Sequence, residues 1–141
     1  MRHRSATSAD HETEIFVDPD TRRSYTYKQV KQVAIDFGKG LKSAWEWEKG
    51  DVLALYTPNC IDTPAVMWGV HYAGGTVSPA NPGYSAEELA FQLKDSGAKA
   101  LCIQWDSLEV ALKAAKKVGL PEARIIPVSY THLTLPTKRI V

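Results

Sequence analysis

Short apolar runs alternate with longer segments of helical periodicity through most of the chain. Val52–Tyr56 is a continuous apolar run bounded by turn residues, which is typical of a strand buried on both faces. Three further short apolar segments follow, each separated from the last by enough residues for a helix. These predicted strands are Thr76–Pro79, Lys99–Gln104 and Arg124–Val128. Strands that alternate with helices in this way favour a mostly parallel sheet.

Apolar residues recur at spacings of three and four between the strands, which predicts amphipathic helices. Two of these helices begin with a capping box, formed by Thr26 with Gln29 and by Ser85 with Glu88. The predicted helices start at Thr26, run from about Asp62 to Ala73, run from Ser85 to Gly97, and run from an N-cap at Asp106 through Val118. Residues 45–51, between the first helix and the first buried strand, are interpreted as a polar turn.

A hairpin is predicted ahead of the first helix. Ile15–Val17 and Ser24–Thr26 have the pattern of short strands, and the intervening residues 18–21, Asp-Pro-Asp-Thr, favour a turn. The predicted fold class is therefore α/β: an N-terminal hairpin and helix followed by β-α-β-α-β-α-β layers of a parallel sheet.

Composition and charge narrow the class of protein without indicating an activity. The chain has 141 residues, with 17 basic and 16 acidic side chains and a formal charge of +1, so neither nucleic acid nor an anionic membrane is indicated as a partner. It has no apolar run long enough for a transmembrane helix and no signal-peptide core, so we expect no membrane span and no secretion. Two cysteines cannot build a disulfide framework.

The two ends of the chain differ from its middle. Residues 1–14 are polar and contain no apolar stretch, so we expect a disordered lead-in. Residues 129–141 contain no acid and no capping signal, and the run 128–137 resembles the in-frame translation of a transposase-type sequencing-library adapter. We therefore expect residues 129–141 to be a non-native, adapter-derived tail.

Glycines and histidines in the chain do not match known site motifs. Gly38 and Gly40 flank Lys39, but a Walker loop has a different spacing, and a dinucleotide fingerprint must follow a strand rather than lie late in a helix. We interpret these glycines as small residues for close packing, with the neighbouring lysines facing solvent. His71 has no second histidine or carboxylate at a metal-ligand spacing, so it is interpreted as a packed or partly exposed residue.

Nucleophiles and carboxylates likewise form no catalytic constellation. Cys102 lies mid-strand and is interpreted as a core residue, whereas Cys60 lies near a helix start but has no identifiable base. No serine has the Gly-x-Ser-x-Gly context of a nucleophile elbow. Glu87 and Glu88 are interpreted as complementing a helix dipole. We therefore assign no catalytic, cofactor-binding or metal-ligating residue in this sequence.

The order of several segments nevertheless resembles the N-terminal part of the adenylate-forming acyl-CoA synthetases, most closely the 4-coumarate–CoA ligase-like and phenylacetyl-CoA ligase-like group of fungi. The resemblance runs from about Ile15 to Val128, and its strength lies in the series rather than in any one motif. The segments that carry it are Ser24–Tyr27, Gly50–Leu55, Pro58–Pro64, Ala73–Leu89 and Gln92–Lys99.

The resemblance implies that residues 15–128 are part of the AMP-binding N-terminal domain of a ligase. The family activates a carboxylic acid with ATP to an acyl-adenylate and transfers the acyl group to CoA, with Mg²⁺ shielding the phosphates. The implied partners of the full-length parent are therefore an aryl or fatty acid, ATP and CoA. Its implied location is the cytoplasm or the peroxisome.

The family's catalytic motifs have no counterpart in this sequence. These are the phosphate loop with its lysine, the aromatic-Gly-x-Thr-Glu motif, the ribose-binding aspartate, the hinge and the lid lysine. We therefore expect the chain to be a truncated acid–CoA ligase that is inactive alone and binds no cofactor. The alternative is a stand-alone α/β binding or regulatory module without catalysis, because fold does not fix function.

Overall fold

The computed structural model describes residues 13–20, 22–58 and 60–128. Strands β1 (Glu14–Val17) and β2 (Ser24–Thr26) form the predicted antiparallel hairpin, which starts one residue earlier than expected. Helix α1 (Tyr27–Trp45) follows directly, and Thr26 and Gln29 make both hydrogen bonds of the predicted capping box. The expected lead-in, except for its last two residues, and the expected tail at 129–141 lie outside the described residues.

Four parallel strands form the central sheet and confirm the predicted fold class. They are β3 (Val52–Tyr56), β4 (Thr76–Pro79), β5 (Ala100–Gln104) and β6 (Ile125–Val128). Their spatial order is β4-β3-β5-β6, and every neighbouring pair is parallel. The chain therefore steps outward from β3 to β4, crosses back over β3 to β5, and continues in that second direction to β6.

Three helices connect these strands: α2 (Thr63–Tyr72), α3 (Ala86–Ser96) and α4 (Leu108–Val118). Ser85 and Glu88 form the second predicted capping box at the start of α3. The predicted N-cap at Asp106 is wrong, because residues 105–107 form a 3-10 turn and the helix begins at Leu108. Ser107 precedes the helix with φ −98° and ψ 7°, not the extended backbone of a capping residue, and its side chain makes no cap bond.

Helices cover both faces of the sheet, as the continuous apolar runs predict. On one face, Leu53, Leu55 and Cys102 share a buried cluster with residues of α1 and α2. On the other face, Leu101 and Ile103 share a cluster with residues of α3 and α4. The reversal of direction between β4 and β5 places the crossover helices on opposite faces, since such connections are right-handed.

The interpretation of residues 45–51 as a polar turn is only partly correct, because Trp47 is buried in the core. Its indole lies against Gly75, where a Cβ atom would also come within 2.9 Å of the Asp51 carbonyl oxygen. The missing side chain at Gly75 therefore makes room for the tryptophan. Within the part of the chain that is described, none of the helices combines the length and apolar character needed to cross a membrane.

Candidate ligand site at the carboxyl edge of the sheet

The strand order reverses between β3 and β5, so the connections that leave these two neighbouring strands run in opposite directions. In open parallel sheets, the two connections that leave such a point run to opposite faces and open a crevice at the carboxyl ends of the strands. The carboxyl ends here are Tyr56 of β3 and Gln104 of β5. A ligand crevice is therefore expected at this edge of the sheet.

A groove of about 520 Å³ lies at this edge, between the hairpin and the segment that follows β3. One wall comes from β1 and the β1–β2 turn, and the other from the start of the α2 region together with the end of β5. The lining residues are Phe16, Val17, Asp18, Pro19, Asp20, Cys60, Ile61 and Gln104. The groove is thus lined mostly by apolar side chains, together with two carboxylates from the turn.

Three side chains hold the hairpin against the sheet beside this groove. Arg23 donates through Nη1 to Asp62 Oδ2 at 3.2 Å and through Nη2 to Asp62 Oδ1 at 3.1 Å. The Tyr25 hydroxyl donates to Asp62 Oδ1 at 2.6 Å, and Arg23 Nη2 also donates to that hydroxyl at 3.2 Å. Two residues of the hairpin side therefore share one carboxylate at the start of α2.

Burial and charge explain the protonation behaviour of this network. The pKa of the Tyr25 hydroxyl is raised well above its usual value, first by burial and then by its hydrogen bond to Asp62 and that carboxylate's charge. Burial alone lowers the pKa of Arg23, but the hydrogen bond and charge of Asp62 outweigh it, and the net effect is a rise. Tyr25 is therefore held as a neutral phenol and Arg23 as a cation.

The geometry suits a structural tie rather than a catalytic group. The Asp62 side chain is 1% exposed and accepts bidentate bonds from a guanidinium as well as a short bond from a phenol. A general base needs a free lone pair in reach of a substrate proton. Since the oxygens of Asp62 are turned to Arg23 and Tyr25, this carboxylate fixes the wall of the groove.

The glycines, histidine and cysteines considered above as possible phosphate-loop, metal or nucleophile residues have packing or surface positions rather than positions in a shared site. Gly38 is buried in α1 against α2, where a Cβ atom would approach Gly69 O to 2.7 Å, as expected for close packing. His71 is exposed on α2. Cys102 is fully buried, and burial raises its thiol pKa, which keeps it protonated. The Cys60 sulfur lies 3.3 Å from Thr63 Oγ1.

The other candidates also have local roles. The Ser85 hydroxyl caps α3 and accepts from the Glu88 backbone N–H at 3.3 Å. The Ser78 hydroxyl accepts from Gln92 Nε2 at 3.1 Å on the edge strand β4. Among residues 13–20, 22–58 and 60–128, no three His, Cys, Asp or Glu side chains group as a metal site would require. The glycine pair of α1 lies inside a helix, so it does not offer the exposed backbone N–H groups that hold phosphates.

A larger groove of about 820 Å³ lies at the opposite end of the sheet, among the loops that precede the strands. Lys99 Nζ is 2.8 Å from Asp51 Oδ1 there, and the Arg124 guanidinium lies 4.8 Å from the centre of the Trp45 ring. Three of its charged groups, Asp51, Lys99 and Arg124, are thus engaged with one another or with the adjacent ring. This groove also lies at the amino ends of the strands, whereas ligands of open parallel sheets bind at the carboxyl ends.

Comparison with known proteins assigns the family. The AMP-binding enzyme family matches residues 2–138. The chain belongs to this family. Its AMP-binding relatives include acyl-CoA ligase AKT1 of Alternaria alternata, which is 30% identical over 127 residues, covering 86% of this chain and 22% of the relative. Phenylacetyl-CoA ligase epaB of Aspergillus niger is 30% identical over 115 residues, covering 81% of this chain and 21% of the relative.

The solved structures agree on the fold of this AMP-binding segment. A benzoate CoA ligase from Burkholderia xenovorans LB400 superposes with a TM-score of 0.73 at 19% identity, over 86% of this chain and 23% of that chain. The resemblance inferred from the ordered motifs, including its fungal acyl-CoA and phenylacetyl-CoA ligase character, is therefore confirmed. The chain spans about a fifth of the length of the curated relatives that it matches.

The AMP-binding segment thus contains one network that the sequence did not reveal. Arg23 and Tyr25 lie 39 and 37 residues from Asp62, and no local pattern connects them. The available signal was Asp62 itself, an acid at a helix start that could have served as an N-cap. Its side chain makes no cap bond to α2 and binds the hairpin residues instead.

Proposed function

We propose that this chain is the N-terminal portion of an acid–CoA ligase. In the complete protein, a carboxylic acid of the aryl or fatty class attacks ATP, forming an acyl-adenylate and releasing pyrophosphate. The CoA thiol then displaces AMP and forms a thioester. The observation that carries this proposal is the family match over residues 2–138, supported by relatives named acyl-CoA and phenylacetyl-CoA ligases.

Within that ligase, we propose a scaffolding role for the described residues. Among its described lining residues, the groove at the carboxyl edge has mostly apolar side chains and two turn carboxylates, but no cluster of cations for ATP phosphates. Preorganised donors at the developing charge supply the largest part of such catalysis. The Arg23–Tyr25–Asp62 network would therefore position the wall of a site whose reacting groups lie elsewhere in the ligase, with ATP, CoA and Mg²⁺ bound there.

A pyrophosphate exchange assay tests whether this chain alone is catalytic. The purified 141-residue chain is incubated with Mg-ATP, labelled pyrophosphate and a panel of aryl and fatty acids, beside a boiled sample. We expect no acid-dependent exchange above the boiled sample. Exchange that depends on an acid would contradict the scaffolding role and reveal a catalytic group in this segment.

The transcript distinguishes the ligase from the alternative, a stand-alone α/β module without catalysis. We expect the native reading frame after Val128 to continue into a Ser/Thr/Gly-rich phosphate loop with its lysine. A native stop codon shortly after Val128 would favour the stand-alone module. For the complete ligase we propose a cytoplasmic or peroxisomal location, which fluorescent tagging of the full-length protein would test.

A further inference from the structure

The net charge of +1 conceals an uneven distribution between the two helical layers. Helices α1 and α2 on one face of the sheet contain four lysines and a single carboxylate, Asp36. Helices α3 and α4 on the opposite face contain four lysines and four carboxylates. Among the four helices, the basic excess therefore lies on α1.

The lysines of α1 form two pairs on one side of the helix, here called the basic stripe: Lys28 with Lys31 and Lys39 with Lys42, separated by the partly buried Ile35. All four lysines are exposed. Successive spacings of three, four, four and three residues keep these positions on one side of the helix. At roughly 1.5 Å per residue, the basic stripe is about 21 Å long.

Two half-exposed aromatic side chains border the basic stripe. Trp68 and Tyr72 lie one turn apart on α2, with 47% and 49% of their surfaces exposed. Lys42 Nζ lies 5.8 Å from the centre of the Tyr72 ring, which joins the stripe to the aromatic pair. Trp68 also packs against Phe16 of the hairpin, with ring centres 6.2 Å apart. Each ring of the aromatic pair is therefore held in place by a contact with a neighbouring element.

This combination matches the chemistry of a lipid headgroup layer. Tryptophan and tyrosine concentrate where an apolar phase meets water, because each ring has an apolar body and a polar end. Lysines beside them can extend toward anionic headgroups while their stems remain on apolar surface. A nucleic-acid duplex keeps its bases stacked inside, so it would pair with the lysines but would leave both rings in water. The combination of lysines with two rings therefore favours a bilayer over a duplex.

We propose that the basic stripe, together with Trp68 and Tyr72, docks on a bilayer containing anionic lipid. The contact is peripheral: the lysines approach lipid phosphates and carboxylates, and the two rings enter the headgroup region. This inference goes beyond the proposed ligase function and does not depend on it, because binding to vesicles is measured without any reaction.

Co-sedimentation with vesicles tests the proposal. The 141-residue chain is mixed with phosphatidylcholine vesicles with and without phosphatidylserine. We expect binding only when phosphatidylserine is present, and release as salt is raised. Each lysine near an anionic surface changes affinity about fivefold, so Lys31→Gln with Lys39→Gln should weaken binding about 25-fold. Trp68→Ala should also weaken binding, although it leaves the charge unchanged.

A matched control lies on the opposite helical layer. Lys113→Gln with Lys116→Gln removes the same charge from α4, and we expect its affinity to stay at that of the parent chain. Far-UV circular dichroism establishes that each variant is folded, and Tyr72→Ala replaces Trp68→Ala if the latter unfolds. Binding without phosphatidylserine dependence, or equal weakening by both lysine pairs, would overturn the proposal. Tighter binding to a duplex oligonucleotide, unaffected by the aromatic variants, would overturn it as well.

Discussion

Gly38 of α1 and Gly69 of α2 face each other where the two helices cross. A Cβ atom on Gly38 would lie 2.7 Å from the Gly69 carbonyl oxygen, and one on Gly69 would lie 2.8 Å from the carbonyl oxygen of Ala34. Both distances are below van der Waals contact with backbone atoms that cannot move independently. The glycine pair therefore sets how closely α1 approaches α2. Since both helices pack on the same face of the sheet, the pair also affects how α1 covers that face.

Gly69→Ala should destabilise the protein even though alanine is the better helix former. Helix propensity alone would stabilise this variant by about 1 kcal/mol. The new methyl would instead overlap Ala34 O and the Phe37 ring, and overpacking of this kind costs about 1–3 kcal/mol. Urea unfolding measures the change. His71→Ala, at an exposed position of the same helix, is the control, and a stabilised Gly69→Ala variant would contradict the close crossing.

The Arg23–Asp62 ion pair should respond unequally to loss of its two partners. Arg23→Ala leaves a carboxylate that is 1% exposed without its cation, which costs about 3 kcal/mol or more. Asp62→Ala should cost less, about 1–2 kcal/mol, because the Arg23 guanidinium is 20% exposed and can turn toward water. Chemical denaturation of both variants gives the two values. Equal losses would show that the burial of Asp62 does not set the energetics.

The Gly38–Gly69 contact and the Arg23–Asp62 ion pair differ in how far the sequence predicts them. The packing role of Gly38 follows from local pattern, because a glycine late in an amphipathic helix has few other uses. The capping boxes at Thr26 and Ser85 are local as well, since each depends on residues three apart. Arg23 and Asp62 come together only because the hairpin folds over the carboxyl edge of the sheet. No periodicity within either segment contains that information.

The burial of Trp47, in the connection between α1 and β3, is a second feature that local sequence did not predict. Charged neighbours and a glycine gave residues 45–51 the composition of a polar turn. Trp47 is nevertheless buried, because Gly75 leaves room for its indole on the sheet. The cavity that accepts the ring is created by a residue in a different loop. Burial of a large side chain in a polar segment therefore depends on tertiary complementarity, which a single sequence does not display.

Leu53→Asp should abolish cooperative folding. Leu53 is fully buried on β3 within the cluster that joins the sheet to α1 and α2. An unpaired carboxylate at this position costs several kcal/mol, and the lost apolar contacts add to that cost. Val17→Asp, at a hairpin position that is 58% exposed, introduces the same charge as a control. A soluble Leu53→Asp variant with a sharp thermal transition would contradict the buried strand.

Removal of residues 129–141 should leave stability unchanged. The adapter-like sequence of this segment predicts that it contributes no native packing, and β6 already ends at Val128. A chain that stops at Val128 should therefore have the same free energy of unfolding, within about 0.5 kcal/mol, as the complete chain. The control is a chain that stops at Pro121, which lacks β6 and should not fold. A marked loss of stability in the shorter deletion would show that the segment packs natively.

The Asp51–Lys99 ion pair should give the protein a specific acid sensitivity. Burial on its own raises the pKa of Asp51, but the Lys99 hydrogen bond, the Glu48 backbone N–H and the charges of Lys99 and Arg124 outweigh it and lower the pKa overall. A carboxyl whose pKa is lower when folded contributes stability above its unfolded pKa, about 4, and loses it as pH falls through the folded value. Lys99 is 55% exposed, so the contribution is modest, about 0.2–1 kcal/mol.

The difference in unfolding free energy between the parent chain and Asp51→Asn should therefore be constant near neutral pH and shrink below about pH 4. Glu109→Gln, which removes an exposed i,i+4 pair with Lys113, should show a much smaller difference over the same range. An Asp51→Asn difference that persists in full at acid pH would mean that the carboxylate contributes through packing rather than charge.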